Sequence, residues 1–343
     1  MTDIQNDVRL DPRIKAFLAM MPSLTTTNVS SRQEILDELS NPDAGPPTNF
    51  SSQQYIDLFS SDEIAPATGL SIRSERIISQ PDGNTICLQI IRPNTAEVLP
   101  CIYYIHGGGM AYHSAYEHNY RAWGKILAAK NVAVVMVDFR NSLLESASEG
   151  VGPFPAGLND CISGLKWTSA NADSLTIDAS KIIIAGDSGG GNLTLATAMA
   201  LKSEGSLDLV SGIYALCPYI VGFGSEDAYP SRIENNGILL HTNHNRGVQG
   251  YGISEFENRN PLAWPAFASI SDVEGFPPTV ISVNECDPLR DEGIGFYRLL
   301  LAAGVVARAR VVLGTMHATE TAVVVCPEIT HDAAEHIANF AWQ

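Results

Sequence analysis

A serine in a glycine-rich stretch is the first candidate for chemistry in this chain. The stretch GDSGG, Gly186–Gly190, matches G-x-S-x-G and follows the apolar run KIIIA. Between a strand and a helix, such glycines allow a sharp turn that exposes the serine hydroxyl and points the following N–H groups toward it. A phosphate-binding turn fits poorly, because the glycines do not match G-x-G-x-x-G and no Lys-Ser/Thr follows. The sequence therefore predicts that Ser188 is a nucleophile.

A second glycine-rich loop, HGGG at residues 106–109, ends the apolar run CIYYI. Backbone N–H groups in such a loop can stabilise the negative charge that develops on a carbonyl oxygen, and losing one donor typically lowers turnover by ~10²–10³. We expect Gly108 and Gly109 to be donors, with Gly189 behind the serine as the third. We interpret His106 as structural, because a strand-elbow hydrolase places its catalytic histidine after the serine.

An acid and a base must then follow the elbow. The stretch PPTVISVNECDPLRDEG ends an apolar strand and offers four carboxylates: Glu285, Asp287, Asp291 and Glu292. Asp287 lies just beyond the strand, where it can reach a histidine on the next loop, and Glu285 is the next best candidate. The other two lie one turn further on, where carboxylates commonly cap a helix.

Three histidines remain after Asp287 as candidates for the base. His317 lies in the loop GTMHAT, whereas His331 and His336 belong to the final helical pattern. A base should project from a loop, so the sequence favours His317. In this reading Asp287 holds the imidazole and His317 takes the proton from Ser188.

The elements that position these residues form an alternating pattern from about Ile72 onward. Apolar strands alternate with amphipathic helices, which predicts an α/β fold with a mostly parallel central sheet flanked by helices, and an opening pair of strands adds an antiparallel edge. Residues 219–271 interrupt the alternation and are too many for a simple connection. We predict a helical N-terminal cap segment over 1–70, a catalytic domain over 71–343, and a second cap insertion at about 219–271.

Composition excludes several classes of protein. The chain has 343 residues, a net charge of −17 and 45% hydrophobic residues. Its negative charge disfavours nucleic acids and anionic membrane surfaces as partners, and neither a membrane span nor a secretory signal is evident. The six cysteines form no CxxC pair, so we expect buried free thiols, no metal site and a cytoplasmic setting.

Taken together, the motifs resemble one enzyme family. HGGG, GDSGG, NPLAWP, DPLRDEG and a late loop histidine occur in the order and spacing of the hormone-sensitive-lipase branch of the α/β-hydrolase esterases. The resemblance implies an α/β-hydrolase fold, a triad of Ser188, Asp287 and His317, and oxyanion donors at the three glycines named above. It also implies a carboxylic ester hydrolase that acts on short- to medium-chain acyl esters, without a metal or organic cofactor.

Two features depart from the family pattern. The elbow has glycine at position 189 where the branch commonly has alanine, which we expect to be a mild change that keeps the N–H donor. The loop RNSLLESASEGVGPFP, residues 140–155, is altered and longer than its family counterpart, so the resemblance does not predict the structure of this loop or of the pocket wall beside it. Apolar residues of the N-terminal segment are candidates either for lining the pocket or for plain packing: Phe17, Leu18, Met20 and Met21.

Other functions remain compatible with the same residues. An amidase or peptidase, or a deacylase of one specific metabolite ester, would use the same triad. A non-catalytic small-molecule receptor, of which the plant gibberellin receptors are examples, would lack the triad histidine, whereas His317 is present here. A homodimer could form through the strand ARARVVL at the sheet edge, although Arg308 and Arg310 on that strand could instead protect the edge.

Overall fold

An eight-stranded sheet forms the centre of the computed structural model, which describes residues 4–21, 27–41 and 63–343. The strands are β1 Leu70–Ile78, β2 Thr85–Pro93, β3 Leu99–Ile105, β4 Ala133–Asp138, β5 Ile177–Asp187, β6 Gly212–Leu216, β7 Thr279–Asn284 and β8 Ala307–Val312. Their order in the sheet is β1-β2-β4-β3-β5-β6-β7-β8. Of these eight strands, β2 alone has the reversed direction, because it is antiparallel to both β1 and β4 while the other pairs are parallel. The prediction of a mostly parallel sheet with an antiparallel edge is confirmed.

Helices connect the strands and cover both faces of the sheet. They are α1 Pro12–Met20, α2 Arg32–Leu39, α3 His118–Ala128, α4 Ala156–Ala170, α5 Ala172–Leu175, α6 Gly189–Ser203, α7 Ser231–Glu234, α8 Arg246–Tyr251, α9 Ile253–Glu257, α10 Ile270–Val273, α11 Arg290–Ala302 and α12 Pro327–Ala341. One buried cluster lies between the sheet and the side chains of α4, α6 and α11, and another between the sheet and those of α3 and α12. Burying apolar side chains on both faces explains why the central strands are almost continuously apolar.

The described parts of the N-terminal segment pack against the insertion after β6. Arg246 of α8 forms a bidentate ion pair with Glu38 at the end of α2, with N–O distances of 2.7 and 3.0 Å. Phe17 of α1 is buried in a cluster with Ile238 of the insertion and Met316. Residues 1–3, 22–26 and 42–62 of the predicted 1–70 segment lie outside the described residues.

A buried ion pair anchors the insertion to the catalytic part of the chain. Arg232 of α7 donates to Glu292 of α11 over 2.8 Å, and both side chains are fully buried. Glu292 also accepts hydrogen bonds from the backbone N–H groups of Ile220 and Val221. Breaking such a pair leaves an uncompensated buried charge, which typically costs 3–5 kcal/mol, so about that much stability depends on this contact.

All six cysteines are buried free thiols, as predicted. Among the described residues, no helix is both long and apolar enough to cross a membrane.

Candidate active site

The turn between β5 and α6 holds Ser188 in an unusual backbone conformation. Its φ is 55° and its ψ is −117°, a combination that residues with side chains rarely adopt. The turn is held by the Ser188 N–H, which donates to the Leu216 carbonyl oxygen over 2.9 Å. At Gly186 an added Cβ would lie 2.6 Å from the Ile105 carbonyl oxygen, and at Gly190 it would press still closer to the same atom. Glycine is therefore required at both positions because β3 passes directly beside the turn.

The HGGG loop lies against this elbow. Gly108 and Gly109 have φ values of 98° and 61°, which favour glycine. An added Cβ at Gly189 would lie 2.5 Å from the Met110 nitrogen and 2.6 Å from the Gly109 nitrogen. Glycine at position 189 is therefore more strongly constrained than the sequence indicated, because alanine would require the loop to move.

The three candidate donor groups are available for a ligand. Within the described ranges, no residue accepts a hydrogen bond from the N–H of Gly108, Gly109 or Gly189. By contrast, the N–H of Gly107 donates to the Tyr120 hydroxyl over 2.8 Å. Free N–H groups beside a nucleophile are the arrangement that an oxyanion hole requires.

Asp287 and His317 meet at the carboxyl ends of β7 and β8. His317 Nδ1 lies 2.7 Å from Asp287 Oδ2, and the other carboxylate oxygen accepts from the Leu289 N–H over 2.8 Å. Both side chains are almost completely buried. Burial disfavours the imidazolium, but the adjacent Asp287 carboxylate outweighs that effect, so the pKa of His317 is held well above its ordinary value.

The neighbouring carboxylates are engaged elsewhere. Glu285 accepts from the Gly314 N–H over 2.7 Å. Asp291 and Glu292 lie in the first turn of α11, as expected, but their contacts reach outside the helix. Asp291 accepts from the Ser231 N–H of α7 over 2.8 Å, so both carboxylates hold the insertion rather than cap their own helix.

The remaining histidines have other surroundings. His331 is exposed on α12, and His336 on the same helix lies 3.0 Å from the Tyr214 hydroxyl. His106 is fully buried and stacks on Phe139 with a centroid distance of 4.3 Å. Burial lowers the pKa of His106, although the Asp138 carboxylate opposes this shift. These contacts match the interpretation of His106 as structural.

The sequence reasoning missed Cys217, which follows β6. Its backbone has a φ of 34°, and its thiol lies within 4.8 Å of ligand atoms of both Asp287 and His317. Because the Leu216 carbonyl oxygen accepts a hydrogen bond from the Ser188 N–H, residues 216–217 link the elbow to the histidine–aspartate pair. No side-chain hydrogen bond joins Ser188 to His317 in the described part of the chain; in free enzymes such bonds often tighten only when substrate binds.

Metal-ligating side chains come together in two places among the described residues. One group is Cys217, Asp287 and His317, and the other is Asp11, Cys326 and Glu328. In the first group the imidazole and carboxylate atoms are already joined by their hydrogen bond. In the second group Asp11 and Glu328 both pair with Arg13. Each arrangement has a role without a metal ion.

Two other sequence features also pack around the elbow. Asn192 of α6 donates to the carbonyl oxygens of Tyr219 and Ala263, at 2.9 and 3.0 Å, which ties the NPLAWP segment to the elbow helix. The altered loop 140–155 lies beside the HGGG loop, because the Ser142 N–H donates to the Met110 carbonyl oxygen over 2.8 Å. The longer loop therefore supports the segment that follows the candidate donors.

Comparison with known proteins shows the same fold. Residues 102–321 match a family model described as alpha/beta hydrolase fold. The solved structure of esterase Est22 is 54% identical, covers 98% of this chain and 99% of its own, and superposes with a TM-score of 0.94. Brefeldin A esterase, described as a bacterial homologue of human hormone-sensitive lipase, is 33% identical over 98% of this chain and 94% of its own, with a TM-score of 0.84.

A curated relative is also an esterase. Carboxylesterase NlhH of Mycobacterium tuberculosis is 33% identical over 219 residues, which are 62% of this chain. The match spans 64% of the mycobacterial protein, slightly less than two thirds of its length.

Proposed function

The chain belongs to the α/β-hydrolase fold family, in its hormone-sensitive-lipase-like esterase branch, and we propose that it is a serine carboxylesterase. The observation that carries the proposal is the position of the His317–Asp287 pair, joined over 2.7 Å at the same end of the sheet as the Ser188 elbow. The names of the similar proteins, esterase and carboxylesterase, support the same reaction.

The proposed reaction has two acyl-transfer steps. Ser188 Oγ attacks the ester carbonyl carbon while His317 Nε2 takes the hydroxyl proton, since Nδ1 is held by Asp287. The carbonyl oxygen becomes an oxyanion that accepts hydrogen bonds from the N–H groups of the three glycines. The C–O bond to the alcohol then breaks, and His317 returns the proton to the leaving alkoxide. Water, deprotonated by His317, attacks the acyl-enzyme and releases the carboxylic acid and free Ser188.

We propose small esters with short- to medium-chain acyl groups as substrates. The cap assignment is part of this proposal: the N-terminal segment and the insertion at about 219–271 together cover the carboxyl ends of the strands. Its support is that Phe17 packs in one cluster with Cys286 and Met316, the residues immediately before Asp287 and His317. Met20 is 68% exposed and lies outside that cluster, so it is the weaker candidate for lining a pocket.

Labelling with a fluorophosphonate probe tests the nucleophile. The wild-type chain should label stoichiometrically, and Ser188→Ala should not label. Ser180→Ala is the matched control, because Ser180 lies on the same strand but is exposed near its other end. The proposal fails if the wild type does not label, or if Ser188→Ala labels as well as Ser180→Ala.

We also propose a homodimer through β8, and a cytoplasmic location. The support for the dimer is that β8 is an edge strand flanked by exposed Val306 and Leu313. The support for the location is the set of six free thiols, which suits a reducing compartment. Light scattering should give twice the chain mass, and Val311→Lys on β8 should reduce it to the monomer mass; a monomeric wild type would contradict the dimer.

A further inference from the structure

Two buried polar side chains, Tyr120 and Asp187, connect the nucleophile elbow to the oxyanion loop, and a third, Tyr104, contacts the elbow alone. Tyr120 of α3 accepts a hydrogen bond from the Gly107 N–H over 2.8 Å and donates one to Asp187 Oδ2 over 2.9 Å. Tyr104 of β3 donates to the other oxygen of Asp187 over 2.8 Å. Each of the three side chains is at least 97% buried.

Both ends of this network adjoin candidate catalytic groups. Gly107 directly precedes Gly108 and Gly109, and Asp187 directly precedes Ser188. The distance between the oxyanion donors and the attacking hydroxyl therefore depends on how the loop and the elbow are joined. Gly107 also packs tightly against both side chains, because an added Cβ would press on Asp187 Oδ2 and lie 2.8 Å from the Tyr120 hydroxyl oxygen.

Of the two tyrosine hydroxyls, only that of Tyr120 forms hydrogen bonds to both the loop and the elbow. Its hydrogen is directed to Asp187, so its oxygen is free to accept from Gly107, and the two contacts determine the orientation of the hydroxyl. Burial raises the pKa of Tyr120, and the negative charge of Asp187 acts in the same direction, so the hydroxyl keeps its proton and remains a donor. Tyr104 makes an equivalent contact with Asp187 but does not touch the loop.

We propose that Tyr120 is a positioning residue for the oxyanion hole. It acts through its hydrogen bond with the N–H of Gly107 and is held against the elbow by its hydrogen bond to Asp187. The inference rests on the proposed serine esterase function and extends it. Removing the hydroxyl leaves a buried N–H without an acceptor, so the loop relaxes toward another partner or water. A displacement of about 1 Å near reacting atoms can lower a rate by ~10².

A matched pair of variants tests the proposal. Tyr120→Phe and Tyr104→Phe each remove one phenolic hydroxyl from the same carboxylate at the same depth, but only the first releases Gly107. With p-nitrophenyl acetate we expect Tyr120→Phe to lower kcat by about 10- to 100-fold, with KM changed by less than about 2-fold. Tyr104→Phe should keep kcat within about 3-fold of wild type, although both variants should lose thermal stability, Tyr120→Phe more because it also leaves the Gly107 N–H without an acceptor.

A transition-state analogue separates positioning from a general loss of structure. A trifluoromethyl ketone adds to the serine and places an oxyanion in the hole, so its Ki should rise in Tyr120→Phe in parallel with the fall in kcat/KM. The Ki of the product p-nitrophenol, which needs no oxyanion donors, should stay unchanged. If Tyr120→Phe does not fold, Asp187→Asn replaces it, and the same fall in kcat at constant KM is expected.

The outcomes distinguish this inference from the function on which it rests. If the wild type neither labels with fluorophosphonate nor hydrolyses esters, the proposed function fails. If the wild type is active and Tyr120→Phe and Tyr104→Phe lose kcat equally, or Tyr120→Phe acts only through KM, the positioning role is overturned while the esterase function stands.

Discussion

Close backbone packing is the main constraint on the nucleophile side of the site, where the Tyr120–Asp187 contact supplements it, whereas side-chain contacts hold the acid–base side. Around Ser188, glycines allow close passage of β3 and of the HGGG loop, and an added methyl group at Gly189 would meet backbone nitrogen atoms. Around His317, one charged hydrogen bond and deep burial set the position and pKa of the imidazole. The nucleophile side should therefore be sensitive to added volume, with Tyr120 as the one position where a lost hydrogen bond should also matter, and the acid–base side should be sensitive to lost charge or hydrogen-bonding capacity.

The largest expected effect is on the acid–base side. His317→Ala removes the group that accepts the Ser188 proton, and kcat for p-nitrophenyl acetate should fall by up to ~10⁶, as for the histidine of other serine hydrolases. His331→Ala, an exposed histidine on α12, is the control and should keep wild-type kcat. Equal losses in the two variants would contradict the choice of base.

Replacing the acid should be the next largest effect. Asp287→Asn keeps the shape of the side chain but removes its charge and favours the wrong imidazole tautomer, so kcat should fall by about 10⁴. Glu285→Gln, which changes the runner-up carboxylate two residues away, should lower kcat by less than about 5-fold, because Glu285 contacts the Gly314 N–H. A larger loss in Glu285→Gln than in Asp287→Asn would reverse the assignment.

A volume change should affect the nucleophile side without removing any functional group. Gly189→Ala keeps the N–H donor but places a methyl group against Gly109 and Met110, so kcat should fall by about 10- to 100-fold. Gly124→Ala also adds a buried methyl group, but against flexible parts of the Met136 and Ile91 side chains. That control should lose stability in thermal melts and keep kcat; unchanged kcat in Gly189→Ala would show that the loop yields easily.

The smallest expected effect is on the midpoint of the pH profile of kcat/KM. His317 must be neutral in the free enzyme to accept the proton, and its pKa is raised above 6.5, the ordinary value for histidine. As the pH decreases, His317 becomes protonated and kcat/KM should fall. The midpoint of this fall should lie above pH 6.5. Asp287→Asn removes the anion and leaves burial, which should move the midpoint to lower pH. Glu285→Gln should not move it. A wild-type midpoint below pH 6.5 would contradict the electrostatic account.

The contacts between the insertion and α11 could not be predicted from the DPLRDEG motif. In DPLRDEG the sequence indicated helix caps at Asp291 and Glu292, and both do lie in the first turn of α11. Their partners, however, are Ser231 and Arg232, about sixty residues earlier in the chain. A carboxylate at a helix N-terminus is favourable whichever donors satisfy it, so helix position alone does not reveal a distant arginine.

The alternating pattern and the two glycine motifs were readable from the sequence because they depend on neighbouring residues. Period, apolar runs and turn residues predicted the alternation of strands and helices from about Ile72 and the mostly parallel sheet. The roles of Ser188, Asp287 and His317 stay predictions. Their order along the chain led to them, and the structure adds the 2.7 Å contact between the last two.

Only the tertiary structure shows which distant groups share the site. Sheet order places the ends of β7 and β8 side by side, and it brings the Cys217 thiol to the histidine–aspartate pair. It also joins α3 to β5 through the Tyr120–Asp187 contact, and β3 to β5 through the Tyr104–Asp187 contact. Local sequence specifies how a segment turns, because a turn depends on the steric limits of a few adjacent residues. Contacts between buried polar side chains depend on how whole strands and helices pack, so no single segment encodes them.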